Sequence, residues 1–149
     1  MFDFRSKMDA ELARKIYSRV PVLINEARGA DGNPWGIQFQ RMFDMTNDSS
    51  LFRTHAQMTA DGATLDGTTF RFPDGKLFLP LYEAKMVHQF DPRWAIFENN
   101  GTDSRDVTEA EKVDPNFVLR PRYWVPESEV GARLRDVGWD RKWLLGFRG

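Results

Sequence analysis

Between Pro80 and Pro92 the chain reads Leu-Tyr-Glu-Ala-Lys-Met-Val-His-Gln-Phe-Asp, and the two prolines bound whatever regular element forms there. A proline removes a backbone donor and clashes with the preceding helical turn, so only a short element fits between them. Tyr82, Met86, Val87 and Phe90 recur at helical spacing. The run therefore reads as a short amphipathic helix that buries this face and turns Glu83, Lys85, His88 and Gln89 to water. Charged, aromatic and imidazole groups are concentrated here, which makes the stretch from Leu79 to Trp94 the first candidate for contact with a partner.

The rest of the chain alternates short helical and extended patterns. Ser6 and Asp9 stand at capping spacing before Met8, Leu12, Ile16 and Val20, with Ala13 and Tyr17 widening the stripe, and Pro21 ends or kinks this helix. Asn25 to Pro34 is a loop, after which Ile37, Phe39, Arg41 and Phe43 alternate as a half-buried strand. Thr54 with Gln57 opens a second helix closed by Asp61-Gly62. Thr68 to Phe72, the turn Pro73-Asp74-Gly75 and Lys76 to Leu81 make a β-hairpin. A short strand is expected at Trp94 to Phe97, and Glu98 to Asn116 is a polar insertion with at most one helical turn near Val107 to Lys112. Phe117 to Trp124 is extended, and Pro121 confines it to an edge strand or a bulge. Pro126 suits the first position of a helix that runs through Val130, Leu134 and Val137 to Gly138, and Trp143 to Phe147 reads as a closing strand. The whole is expected to be one α+β domain over residues 1–149, with a small, mostly antiparallel sheet, about three to four helices and a mobile polar loop at 98–116.

The chain has no cysteine, which excludes disulfides, thiolate chemistry and Cys-containing zinc sites. No apolar run approaches the ~18 residues of a membrane span, and charge begins at Asp3, so a cytoplasmic protein without a membrane partner is expected. A net charge of -1 argues against bulk attraction to nucleic acid. Charge is uneven, however: Phe117 to Gly149 holds seven Lys/Arg against four Asp/Glu, whereas Glu98 to Asp114 holds six acids against two bases. One basic end suits a protein that meets phosphate on a single face, and it equally suits an ordinary solvated surface.

Two chemistries compete for the polar residues. Pro73-Asp74 followed by Glu83-Ala84-Lys85 matches the PD-(D/E)xK nuclease pattern, in which Asp74 and Glu83 would hold magnesium and Lys85 would position the attacking water. That pattern is short, and Asp74 also suits a plain turn residue. His55 and His88 are the only histidines, so His88 with Asp91 and Glu83 makes a poor transition-metal site, and no metal is expected there. No serine stands beside a base motif. Nucleic-acid contact has the other claim. Arg120-Pro121-Arg122-Tyr123-Trp124 interleaves guanidinium groups with aromatics on an extended segment, and Lys85, His88 and Arg93 supply a second basic set. The tryptophans Trp35, Trp94, Trp124, Trp139 and Trp143 also read as packing residues.

Four collinear strings carry a family resemblance: Phe4-Arg5-Ser6 with Asp9 to Leu12; Asn33-Pro34-Trp35-Gly36 with Arg41 to Asp44 and Met45; Leu81 to Trp94; and Asp114 to Phe117 with Arg122 to Val130. Together they resemble the region after the catalytic core in large adenine-specific DNA methyltransferases of the type IIG-like restriction-modification and phage-defence kind. Such enzymes bind S-adenosylmethionine at a Gly-rich turn and hold adenine with an Asn-Pro-Pro-Tyr-type motif. This chain has no Gly-x-Gly, and its one Asn-Pro continues into Trp35-Gly36. The resemblance implies a non-catalytic accessory or target-recognition region, a fragment or a free-standing relative, with no cofactor of its own. S-adenosylmethionine would bind a separate catalytic domain, and magnesium enters only under the nuclease reading. Its partners would be duplex DNA and a methylase catalytic domain or subunit. Lys85, His88, Arg93, Arg120 and Arg122 become the candidate DNA contacts, with Tyr123 and Trp124 as stacking or packing partners. A protein-interaction module that docks on a methylase core is the remaining alternative.

Overall fold

Ser6 takes the extended backbone of an N-cap and its hydroxyl oxygen accepts the Asp9 N–H at 3.1 Å, so helix α1 (Lys7–Tyr17) starts where capping chemistry places it. The structure, a computed structural model, describes residues 6–98, 101–141 and 143–146. Phe4, Arg5, Asn99, Asn100 and Phe147, on which parts of the sequence reading rest, lie outside the described residues. The domain expected over residues 1–149 is made of two compact units, Met1–Arg41 and Met42–Gly149.

In the first unit α1 ends at Tyr17, ahead of Pro21, and buries none of its residues: Met8, Leu12, Ile16 and Tyr17 are all exposed. A 3-10 segment, Glu26–Gly32, follows, capped by the Asn25 side chain on the Ala27 N–H. Gly32 closes it by accepting the Asn25 N–H at 2.7 Å. A Cβ at Gly32 would lie 2.0 Å from the Asn25 carbonyl oxygen, so only glycine fits this approach. The strand expected over Ile37 to Phe43 does not form. Among the described residues its alternation has no partner strand, and the Asn33 side chain instead takes both the N–H and the carbonyl of Ile37 at 2.8 Å each.

The second unit is α+β. Helix α2 (His55–Ala60) opens with a full capping box between Thr54 and Gln57 and buries Met58. Strands β1 (Thr64–Asp66), β2 (Thr69–Arg71) and β3 (Leu77–Leu81) follow as an antiparallel meander. The turn from β1 to β2 places Gly67 at φ +61°, at the first central position of a two-residue hairpin loop, where a Cβ is disfavoured. The turn from β2 to β3 is the expected one: Phe72 N–H bonds the Lys76 carbonyl at 2.9 Å, and Asp74 caps the Lys76 N–H at 3.0 Å.

After β4 (Ala95–Phe97), β5 (Ser104–Asp106) and α3 (Glu109–Val113) comes β6 (Tyr123–Pro126), which pairs with β3 to give the sheet order β1-β2-β3-β6. Pro80 pairs with Trp124 beyond the end of β2, so its missing N–H breaks no ladder bond to β2. Helix α4 (Glu127–Asp136) packs on β3 and β6, with Pro126 at its N-cap, one residue before the position expected. Arg133 of α4 bridges back to Asp48 at 2.7 Å, donates to the Met42 carbonyl, and lies over the Phe43 ring at 4.2 Å.

The core sits against the inner face of the sheet. Met58, Ala63, Phe70 and Trp124 form its centre with Phe72 and Phe78 against them, and Ile96, Val107 and Leu119 form a second cluster with Phe117. Each fully buried large side chain contributes about 1.5–3 kcal/mol.

Three expectations change in this unit. The helix over Glu83 to Gln89 shrinks to a 3-10 turn at Ala84–Met86, and although Met86 is fully buried, Tyr82 and Phe90 are exposed. Strand β3 holds the chain extended to Leu81, Glu83 makes no side-chain cap, and the Trp94 N–H claims the Met86 carbonyl at 3.0 Å. A helix this short cannot outweigh those constraints. The polar run 98–116 contains a strand as well as a helical turn, tied together by Arg105, which meets Glu111 in a fork at 2.7 and 2.5 Å and Glu98 at 3.1 Å. Residues 143–146 form no strand, and the Trp139 ring N–H bonds the Trp143 carbonyl at 2.9 Å. Among the described residues no helix is long and apolar enough to cross a membrane.

The Arg105 fork and the Thr108 N–H hold the Glu111 carboxyl at about 2, below its ordinary 4.5. Since the unfolded chain then binds the proton more readily, this carboxylate stabilises the fold above pH 4.5, and the contribution is lost as pH falls toward 2. Thermal melts from pH 5 to pH 2 are expected to fall less steeply for Glu111→Gln than for the unaltered chain, from a lower starting midpoint. Parallel slopes would show that Glu111 is not so held.

Candidate nucleic-acid interface

Strand β4 brings Phe97 beneath two cations. The Lys85 ammonium stands 4.6 Å from the ring centroid and the Arg122 guanidinium 5.9 Å, and Arg122 also lies 4.9 Å over the Tyr123 ring. Lys85 comes from the 3-10 turn after β3, and Arg122 immediately precedes β6. The β3–β6 pairing of Leu81 with Tyr123 therefore brings together residues about 37 positions apart. Among the described residues neither cation is held in a salt bridge, although both charges act on the Glu83 carboxyl.

Glu83 lies between them in charge terms. Its Oε1 is shielded from solvent and has no hydrogen-bond partner. Burial lifts its carboxyl above the ordinary 4.5, and the Lys85 and Arg122 charges offset this only in part. The folded state thus holds this proton more tightly than the unfolded chain, and stability is lost as pH rises from 4.5 through the raised value. Glu83→Gln is expected to be more stable than the unaltered chain at neutral pH and to lose that advantage below pH 4.5 in thermal melts. A variant less stable at neutral pH would mean that the charged form is the favoured one.

The other predicted residues separate into distinct surroundings. His88 is exposed and stacks on Trp94 at 4.5 Å, with Lys112 over the same indole at 5.2 Å. Arg93 is half-buried and donates to the Lys112 carbonyl, which gives its guanidinium a structural task. Arg120 is exposed, its carbonyl accepts the Phe97 N–H at 3.1 Å, and it borders a small cleft beside Gly67, Thr68 and Val118. Tyr123 is half-buried against Phe52 at 5.7 Å. Trp124 is 1% exposed and donates its ring N–H to the Thr68 carbonyl at 2.8 Å, so of the two roles expected for it, stacking or packing, the fold assigns packing. The basic-aromatic string thus divides by residue, with Arg122 and Tyr123 toward the surface and Trp124 in the core.

The nuclease constellation is not assembled. Asp74 sits in the β2–β3 turn, paired with Lys76 at 2.6 Å, while Glu83 follows the far end of β3, about 13 Å of strand away. Among the described residues no group of three or more His, Asp or Glu is placed to hold a metal. The sequence reading missed the Phe97 platform and the shielding of Glu83. Phe97 is visible in the sequence only as one apolar residue of a short strand, and its neighbours depend on the pairing of β3 with β6.

No family model, no curated protein and no solved structure matches the chain.

Proposed function

We propose that this chain is a non-catalytic, DNA-contacting accessory or target-recognition region of an adenine-specific DNA methyltransferase in a restriction-modification or phage-defence system. The observation that carries the contact is the pair Lys85 and Arg122, two cations from separate segments on one aromatic platform with no salt bridge among the described residues. Their charges suit adjacent phosphates of duplex DNA, and such contacts bind with a strong salt dependence. The collinear strings that resemble the methylases support the assignment to that system. On this reading S-adenosylmethionine binds a partner catalytic domain, which flips the adenine while this region holds the duplex, and the chain works in the cytoplasm beside the genome.

A second reading has its own support: the exposed apolar stripe of α1, Met8, Leu12, Ile16 and Tyr17, suits docking on a methylase core. Titration of the purified chain with duplex DNA across a salt series, with and without magnesium, tests the first. Binding that weakens with salt and leaves the duplex intact is the expected result. Failure to bind at low salt removes DNA contact and leaves the docking reading, and magnesium-dependent cleavage overturns the non-catalytic reading.

A further inference from the structure

Phe90 is 96% exposed and stands at φ +64°, the one non-glycine residue at positive φ among those described. A bulky aromatic in the left-handed region is strained, and its full exposure means that no packing within the chain repays the strain. The turn that imposes it is rigidly built. His88 and Asp91 exchange backbone hydrogen bonds at 2.9 and 3.0 Å, leaving Gln89 and Phe90 as the tip. Asp91 caps the Arg93 N–H at 2.9 Å and pairs with Lys112 at 2.8 Å, and His88 stacks on Trp94. Four side chains thus brace a tip whose outermost ring is almost wholly in solvent.

We propose that Phe90 is a wedge that inserts between stacked base pairs of duplex DNA and opens the step. The inference rests on the DNA-contacting reading above and adds how the duplex would be deformed. Charge favours DNA over a protein pocket. Ala84 to Phe90 carries Lys85 and no acid, and of the two flanking acids Glu83 has a carboxyl oxygen shielded from solvent while Asp91 is paired with Lys112. Apolar side chains inserted between base steps are the usual means of unstacking them. Gln89, exposed next to Phe90, adds an amide able to meet a base edge once the step is open.

The test uses duplexes carrying 2-aminopurine, whose fluorescence rises when it unstacks. The unaltered chain is expected to raise the fluorescence on binding. Phe90→Gly is expected to abolish the rise and weaken binding about tenfold, with the salt dependence unchanged. Its thermal midpoint is expected to increase by about 2–4 °C, because glycine accepts this φ. Phe90→Leu, which keeps an apolar wedge, should retain most of the signal. Binding with no rise, or a rise that survives in Phe90→Gly, overturns the wedge and leaves DNA contact standing. A lowered midpoint in Phe90→Gly alongside loss of signal assigns Phe90 to packing and also overturns it. No binding by the unaltered chain at low salt overturns both readings.

Discussion

Trp124→Ala is expected to lower the thermal midpoint by about 10 °C or more. Truncating a buried tryptophan costs about 3–5 kcal/mol in transfer and cavity terms, against a total stability of about 5–15 kcal/mol. The position is unusually connected. The indole meets Phe70 edge to face at 5.0 Å and His55 at 6.0 Å, and its ring N–H holds the Thr68 carbonyl at the turn between β1 and β2. Its backbone pairs with Pro80 of β3 on one side and with Arg53 on the other. Trp124→Phe keeps most of the volume and loses the ring N–H, so it should cost less, about 1–3 kcal/mol for the carbonyl left without its partner. Urea or thermal unfolding followed by circular dichroism separates the two variants. An alanine variant as stable as the unaltered chain would place Trp124 outside the core.

The largest expected effect on binding comes from Lys85→Ala combined with Arg122→Ala. Each phosphate neutralised contributes about 0.9 to the slope of log affinity against log salt, so losing both should flatten that slope by about 1.8. Affinity at low salt should fall roughly tenfold or more. Lys76→Ala is the matched control, since its ammonium is already paired with Asp74 beyond the other end of β3. A double variant that retains both affinity and slope would remove the Phe97 platform from the interface, whatever its stability.

Features whose hydrogen bonds close within about four residues were legible in advance. The Ser6 cap, the Thr54–Gln57 capping box, the Pro73-Asp74-Gly75 hairpin turn and the left-handed Gly138 just past the end of α4 each depend on a side chain or a backbone conformation that the local sequence specifies. Periodicity was less reliable. Among the described residues the alternation of Ile37 to Phe43 has no strand beside it, and the helical spacing of Tyr82, Met86 and Phe90 yields to the path that takes Met86 into the core. A repeat of apolar residues states what can be buried together and leaves open whether a partner surface is present.

The candidate interface shows the same division. Arg122, Tyr123 and Trp124 are adjacent in the sequence and look equivalent there, yet one lies over Phe97, one packs on Phe52 and one fills the core. The α+β class, the caps and the turns follow from the amino-acid sequence by itself, because each arises from interactions a few residues long. Which cations share a ring, which carboxylate is shielded and which aromatic is left in solvent were decided only when β6 paired with β3 and Asp91 met Lys112. Those contacts join residues 21 to 48 positions apart, and burial and charge pairing across such distances depend on the whole packed structure.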